Sequence, residues 1–271
     1  MTTHTTKKPR RKSTGKRKKK TSGSLRAWWR KTWRKSRFWV IGAAVLLVCY
    51  LLVPYVQDIF FAGHSSNAQY DGIDVSKHNG DIDFEQVSDD DYQFVFIKAS
   101  EGKTYKDDAF ERNYEQAREA GLKVGAYHFF RKNRTAREQA DNLLAAIRGK
   151  HLDLPLVIDL EDDWGNGATV SRQTAIDRVM EMIDILAGKG YRVMIYTNLD
   201  GYEKYYKDLL GDHDLWLCSF TSPDLLPHLP HVIQQFSHEG TVSGIDGNVD
   251  LNVWRGSEKE WQRYLDSIDQ P

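Results

Sequence analysis

The sequence predicts an α/β domain built as an irregular, incomplete TIM-like (β/α) barrel, preceded by one N-terminal transmembrane helix. Three observations predict it. Apolar runs of strand length alternate with helical patterns from residue 70 onward, an uncharged stretch of 20 residues precedes them, and acids recur where the predicted strands end. Strands that alternate with helices pair in parallel through right-handed crossovers, and eight such strands can close into a barrel.

Charge sets the order of the segments. The 271 residues carry 38 basic and 38 acidic side chains, but residues 1–37 hold 16 of the Lys and Arg and no acid, leaving a formal −16 after Arg37. The run from Lys7 to Lys20 has too little apolar surface to fold, so residues 1–37 are expected to be a disordered, solvated tail. Phe38 to Gln57 are 20 consecutive uncharged residues. As a helix they span about 30 Å, the thickness of a hydrocarbon core. Trp28, Trp29, Trp33 and Trp39 flank one side and Tyr55, Phe60 and Phe61 the other, as expected of rings at a membrane interface.

A cleaved signal peptide would have a shorter apolar stretch and a small-residue cleavage site, for which Ala62-Gly63-His64 is a weak match. The basic excess before the span puts the N-terminus in the cytoplasm and the rest outside, a single-pass protein of the cytoplasmic membrane. That topology accounts for the basic tail, so no nucleic-acid partner is expected. Residues 58–69 read as a polar linker and 70–271 as the exported domain, large enough to bury a core without disulfides. Cys49 falls in the predicted span and Cys218 in a later apolar run, so the two should not pair.

Within the domain, strands are predicted at 72–75, 94–99, 123–129, 156–160, 192–197, 215–220, 232–236 and 248–251, with helices at 108–120, 135–148, 171–189 and 199–210. The late strands are separated by a proline-bearing loop, 223–230, and a glycine-rich turn, 240–247, with little room for helices. The barrel should therefore be irregular there. An open doubly wound sheet is the alternative, but no Gly-x-Gly-x-x-Gly turn follows the first strand.

The run Leu156-Val157-Ile158-Asp159-Leu160-Glu161 ends an apolar strand in acids. Side chains alternate along a strand, so Asp159 and Glu161 face the same side with Cα atoms about 7 Å apart. Parallel barrels place catalytic groups at this end of their strands. Like charges so close cannot both ionise easily, and one carboxyl should keep its proton toward neutral pH. Glycoside hydrolysis needs that division between a proton donor and a charge stabiliser. An isolated Asp-x-Glu more often caps the next helix or faces solvent, as expected of Asp162 and Asp163.

Two further acids weigh against that bland reading. Asp74 ends the first predicted strand and Asp250 sits in the last, and in a closed barrel those strands are neighbours. Four acids around one pocket are costly to bury without function. A metal is the weaker reading, because no His or Cys stands at ligand spacing and no calcium loop is present. Among the aromatics, Tyr127, Trp164 and Tyr196 lie at the acid-bearing strand ends and suit a sugar cleft. Trp216 and Phe94 are assigned to packing, and His128 reads equally well as a satisfied interior histidine.

The stretches Gly72-Ile73-Asp74-Val75-Ser76, Phe96-Ile97-Lys98-Ala99-Ser100-Glu101-Gly102, Gly125-Ala126-Tyr127-His128-Phe129, Ile158-Asp159-Leu160-Glu161, Tyr196-Thr197-Asn198 and Gly247-Asn248-Val249-Asp250-Leu251-Asn252 together resemble glycoside hydrolase family 25, the N-acetylmuramidases also called lysozymes of that family. The likeness runs in the family's order from about Tyr70 to Trp254. It implies an irregular β/α barrel that hydrolyses the β-1,4 bond between N-acetylmuramic acid and N-acetylglucosamine in peptidoglycan, without a cofactor. By position, Glu161 looks like the general acid/base and Asp159 like the residue assisting the substrate's acetamido group in a retaining mechanism. Asp74 and Asp250 match the family's two further acids, and Tyr127, Tyr196 and Gln235 fall where sugar contacts are expected.

Two departures bear on substrate preference. Asn79-Gly80 stands where the family often has Gln-Gly, and Trp216-Leu217-Cys218-Ser219-Phe220 where it often has Trp-x-Ala-x-Tyr. Two other readings are a non-catalytic, membrane-tethered peptidoglycan-binding anchor, which is a different class, and another retaining glycosidase of the chitinase type. The latter's Asp-x-x-Asp-x-Asp-x-Glu would need acids at Leu154 and Val157.

Overall fold

Period-two alternation sorts each strand into an inward and an outward row, and the sheet these strands form closes on itself. The computed structural model describes residues 70–161, 170–221, 229–254, 256, 258–268 and 270–271. The predicted tail, span and linker lie outside the described residues, as do Cys49 and Trp164. Among the described residues no helix is long and apolar enough to cross a membrane.

The strands are β1 (Tyr70–Val75), β2 (Tyr92–Glu101), β3 (Tyr105–Lys106), β4 (Lys123–Phe129), β5 (Leu156–Asp159), β6 (Val193–Asn198), β7 (Asp214–Cys218), β8 (Ile233–Gly240) and β9 (Val249–Trp254). They run in the order β1-β9-β8-β7-β6-β5-β4-β2-β3, and β1 pairs with β2 as well, so eight strands close a barrel and β3 extends from β2. Pairing is parallel from β1 through β2, β4, β5, β6 and β7 to β8. β9 runs antiparallel to both β8 and β1. Residues 241–248 are too few for the crossover of about a dozen residues that a parallel return needs. This is the irregularity the glycine-rich turn predicts.

Helices α1 (Phe84–Asp89), α2 (Phe110–Glu119), α3 (Ala136–Ala146) and α4 (Arg172–Ala187) pack on the outside of the sheet, and α5 (Glu258–Asp266) follows the last strand. Between β6 and β7 the chain is helical over Leu199–Gly201, π-helical over Tyr202–Tyr206 and helical again over Lys207–Leu209. Side-chain caps start three of the labelled helices: Asp83 accepts from the Gln86 N–H, Thr135 forms a reciprocal capping box with Glu138, and Ser171 accepts from the Thr174 N–H. Sequence periodicity predicts α2, α3, α4 and the 199–210 segment to within two residues at each end, but not α1 or α5.

Outward residues such as Ile73, Val95, Val124, Ile158, Ile195 and Leu217 pack with the helices in the larger core. Inward residues Phe94, Phe96, Val157, Met194, Trp216 and Ile233 fill the barrel, and Trp261 and Tyr264 of α5 join them beside Trp254. Phe96 stacks on Trp216 with centroids 4.6 Å apart, and Phe94 meets Trp261 at 5.6 Å. The rings fit because two inward positions have no side chain. A Cβ on Gly72 would lie 2.3 Å from Phe94, and one on Gly125 2.3 Å from Phe96.

Gly125→Ala should therefore destabilise the domain by about 1–3 kcal/mol through overpacking. Adding Phe96→Leu should recover part of the loss, measured as the midpoint of urea unfolding. Equal midpoints for Gly125→Ala and the parent would mean the barrel interior is not packed as described.

Candidate active site

At the end of the barrel opposite the Trp261 plug, the inward rows change from rings to acids. On β1, Ile73 and Val75 pack outward, so Asp74 faces in, directly across the ladder from Asp250 on β9. On β5, Ile158 and Leu160 pack outward and Asp159 and Glu161 face in. Backbone bonds carry this alternation one residue past the strand end. The Phe130 N–H donates to Asp159 O and the Leu160 N–H to Tyr196 O, each at 2.9 Å, while Thr197 Oγ1 donates to Leu160 O at 2.8 Å.

Asp74, Asp159, Glu161 and Asp250 line one cavity of about 520 Å³, together with Tyr127, Tyr196 and Gln235. Seven of the eight residues selected from sequence thus meet there, and Trp164 lies outside the described residues. The cavity also takes in Lys98, Phe129, Trp216, Cys218, Phe220 and His238. Alternation carried the signal for two of these, since Lys98 is two residues beyond Phe96 and Cys218 two beyond Trp216. Trp216 is packed as expected, but it contributes a hydrogen bond to the site as well. His128 is not part of the cavity. It is buried between Ser100 Oγ at 2.8 Å and Gln139 Oε1 at 3.2 Å, and burial pushes its pKa down to about 4.

A directed chain of hydrogen bonds converges on Asp74. Indole N–H only donates, so Trp216 Nε1, 2.7 Å from Asn252 Oδ1, fixes that amide with its NH₂ toward the acid. Asn252 Nδ2 and Gln235 Nε2 each donate to Asp74 Oδ2 at 2.8 Å, and Tyr196 Oη donates to Gln235 Oε1 at 2.8 Å. Burial and then the charge of Asp250 raise the Asp74 pKa well above the carboxylate range, against these donors. Burial also raises Asp250, to about 6. The charge of Asp250 opposes ionisation of Asp74, so the two carboxyls titrate as a pair and not as independent acids.

Asp159 is raised as well, by burial first and the charge of Glu161 second. Its Oδ1 is buried without a hydrogen-bond partner, a costly state unless a bound molecule supplies a donor. Tyr127 and Tyr196 are pushed far up by burial and stay phenols able to donate, and burial raises the Cys218 thiol to about 12, leaving it neutral. Among the described residues no cluster of three or more His, Cys, Asp or Glu could hold a metal ion. The arrangement suits proton transfer between carboxyl groups and a polar ligand with its own N–H and O–H groups.

Comparison with known proteins points to one family. The model of the glycosyl hydrolases family 25 matches residues 73–245. The autolytic lysozyme of Clostridium acetobutylicum is 35% identical over 187 residues, covering 67% of this chain and 54% of that protein. The chain thus spans about half the length of that relative. A family 25 glycosyl hydrolase from Bacillus anthracis superposes with a TM-score of 0.68 at 30% identity, over 74% of this chain and 95% of that one. A bacterial lysozyme from Streptomyces coelicolor superposes with a TM-score of 0.67 at 27% identity, over 75% and 100%.

The raised acids make a stability prediction. Asp250 has a folded pKa of about 6 against 3.8, so its stabilising effect is complete below 3.8 and is lost as pH rises through about 6. Asp250→Asn should therefore stabilise the protein above pH 6, by about 1–3 kcal/mol for the coupled Asp74–Asp250 pair, and have little effect near pH 3.5, where both carboxyls are protonated. Urea unfolding at both pH values checks this, and an equal effect at the two would contradict it.

Proposed function

The chain belongs to glycosyl hydrolase family 25, and on that premise we propose that it is a peptidoglycan hydrolase, an N-acetylmuramidase. It cleaves the β-1,4 bond between N-acetylmuramic acid and N-acetylglucosamine with retention of configuration. The observation that carries this reading is the placement of Asp159 and Glu161 in one cavity, Asp159 with a buried oxygen that has no protein partner.

In the proposed reaction Glu161 gives its proton to the glycosidic oxygen as the C1–O bond breaks. The acetamido oxygen of the muramic sugar attacks C1 from the opposite face, and Asp159 accepts the acetamido N–H and steadies the positive charge that develops on the ring so formed. Glu161, now a carboxylate, takes a proton from water, whose oxygen attacks C1 and reopens the ring. Two inversions give net retention, and each proton is accounted for. Asp74 and Asp250 share a proton beside the reacting sugar. Tyr127, Tyr196 and Gln235 contact its hydroxyls and apolar faces.

The reading extends to location. The uncharged run 38–57 behind a wholly basic flank supports a tether in the cytoplasmic membrane with the hydrolase on its outer face, where glycan strands are the substrate.

Two measurements test these proposals. Purified full chain should release reducing ends from peptidoglycan, with muramic acid at the new ends, and Glu161→Gln should lower the rate by about 10²–10⁴. Undiminished activity in Glu161→Gln would remove it from the mechanism, and tight binding without release would favour the non-catalytic anchor. In fractionated cells the full chain should stay in the membrane pellet through alkaline carbonate, whereas residues 58–271 made alone should be soluble. A full chain extracted by carbonate would refute the tether.

A further inference from the structure

Among the described residues lining the cavity, Lys98 is the sole Lys or Arg, and it stands among four carboxyl groups. Its place follows from β2 alternation, with Phe94 and Phe96 filling the barrel and Lys98 the next inward position. Its Nζ lies 5.1 Å from the Phe129 ring centroid and 5.7 Å from that of Tyr105. The same atom is 2.8 Å from Glu101 Oε2. The other Glu101 oxygen accepts from Arg131 Nε at 2.9 Å, and the Arg131 guanidinium also lies over Phe129, at 4.8 Å.

The Arg131 backbone is fixed in turn. Its N–H donates to Gln139 Oε1 at 2.7 Å and its carbonyl accepts from Gln139 Nε2 at 3.1 Å, while Gln139 touches the buried His128. A lone Lys–Glu pair would be neutral and exert little field on its neighbours. Arg131 on the far side of Glu101 leaves the trio with one net positive charge.

We propose that Lys98 is a positioning residue for the hydrolysis, an ammonium clamped by Glu101, Arg131 and Phe129 whose field works against burial and the Glu161 charge and so favours the Asp159 anion when the substrate's acetamido group arrives. The proposal rests on the muramidase reading for its role, but the electrostatic effect stands on the protein alone.

The groups facing Asp159 show why such a charge is needed. Glu161 follows on its own segment, Asp74 and Asp250 stand on β1 and β9, and Glu101 on β2, so every neighbouring carboxylate opposes ionisation. Tyr127 on β4, Tyr196 on β6 and Cys218 on β7 are held neutral by burial and add no charge of either sign. His238 on β8 lies at the same cavity with more than half its side chain exposed, where solvent screens it. Lys98, with 13% of its side chain exposed, is the main charge acting the other way on Asp159.

The test uses the full chain. Lys98→Met keeps an unbranched stem against Phe129 and Tyr105 while removing the charge, and Lys98→Arg keeps the charge. With ¹³C-labelled aspartate, the Asp159 carboxyl signal is assigned by its loss in Asp159→Asn. Its titration midpoint should rise by about one pH unit in Lys98→Met and stay near the parent value in Lys98→Arg. Arg131→Gln, which makes the trio neutral from outside the cavity, should move the midpoint the same way by less.

The acid limb of kcat should shift by a matching amount, with KM at the optimum changed less than about twofold. The carboxyl titration needs no turnover, so an inactive parent would defeat the muramidase reading without touching the electrostatic one. An unmoved Asp159 midpoint in folded Lys98→Met and Arg131→Gln would overturn the proposal. So would a rise in KM with an unmoved acid limb.

Discussion

β1 hydrogen-bonds to β2 on one side and to β9 on the other, and the geometry of the cavity follows from that double pairing. It sets Asp74 opposite Asp250, from the two ends of the domain's sequence, and it turns both toward the mouth that β5 reaches with Asp159 and Glu161. An open sheet would leave the first and last strands at opposite edges and the two pairs of acids apart. Closure in turn depends on the interior being filled. The stacked Phe96 and Trp216, the glycines that admit the rings, and the Trp261 plug from α5 hold the strands at the spacing the ladder needs.

The same packing creates an electrostatic strain that the polar layer partly relieves. Burying several carboxyl groups together raises their affinity for protons, which weakens the folded state near neutral pH. Asn252 and Gln235 donate to Asp74, and the indole of Trp216 dictates which way the Asn252 amide points. Asp159 receives no such donor at its buried Oδ1. The contrast separates Asp74, whose carboxylate the protein holds, from the one Asp159 oxygen left for a ligand. In the muramidase reading that ligand is the acetamido group, whose N–H satisfies an oxygen the fold leaves unsatisfied.

Much of this was legible in the sequence because period-two alternation and apolar runs are strong local signals. The bounds of β4 at 123–129 follow directly, and Asp74, Asp159, Glu161 and Asp250 could be placed together once closure was assumed. The parts that escaped depend on tertiary context. The six residues of α1 are too few for a helical period, and α5 shows itself only through aromatics that need the open end of a barrel to bury them. Strand β7 reads as running to Phe220 but ends at Cys218; the Ser219 N–H still donates to Gln235 O of β8, and Phe220 beyond it is exposed. Trp216 illustrates the limit of assigning one role per residue. Its rings are core, while its single N–H orders the polar layer.

In the proposed mechanism the cavity holds the reacting sugar with its acetamido group against Asp159 and its glycosidic oxygen against Glu161. A crystal structure of the Glu161→Gln variant with a muramic-acid-containing glycan fragment tests this placement most directly. The acetamido nitrogen should lie within about 3 Å of an Asp159 carboxyl oxygen, with the substituted amide at position 161 facing the glycosidic oxygen. A fragment bound with its acetamido group turned away from Asp159, or seated outside the ring of four acids, would contradict it.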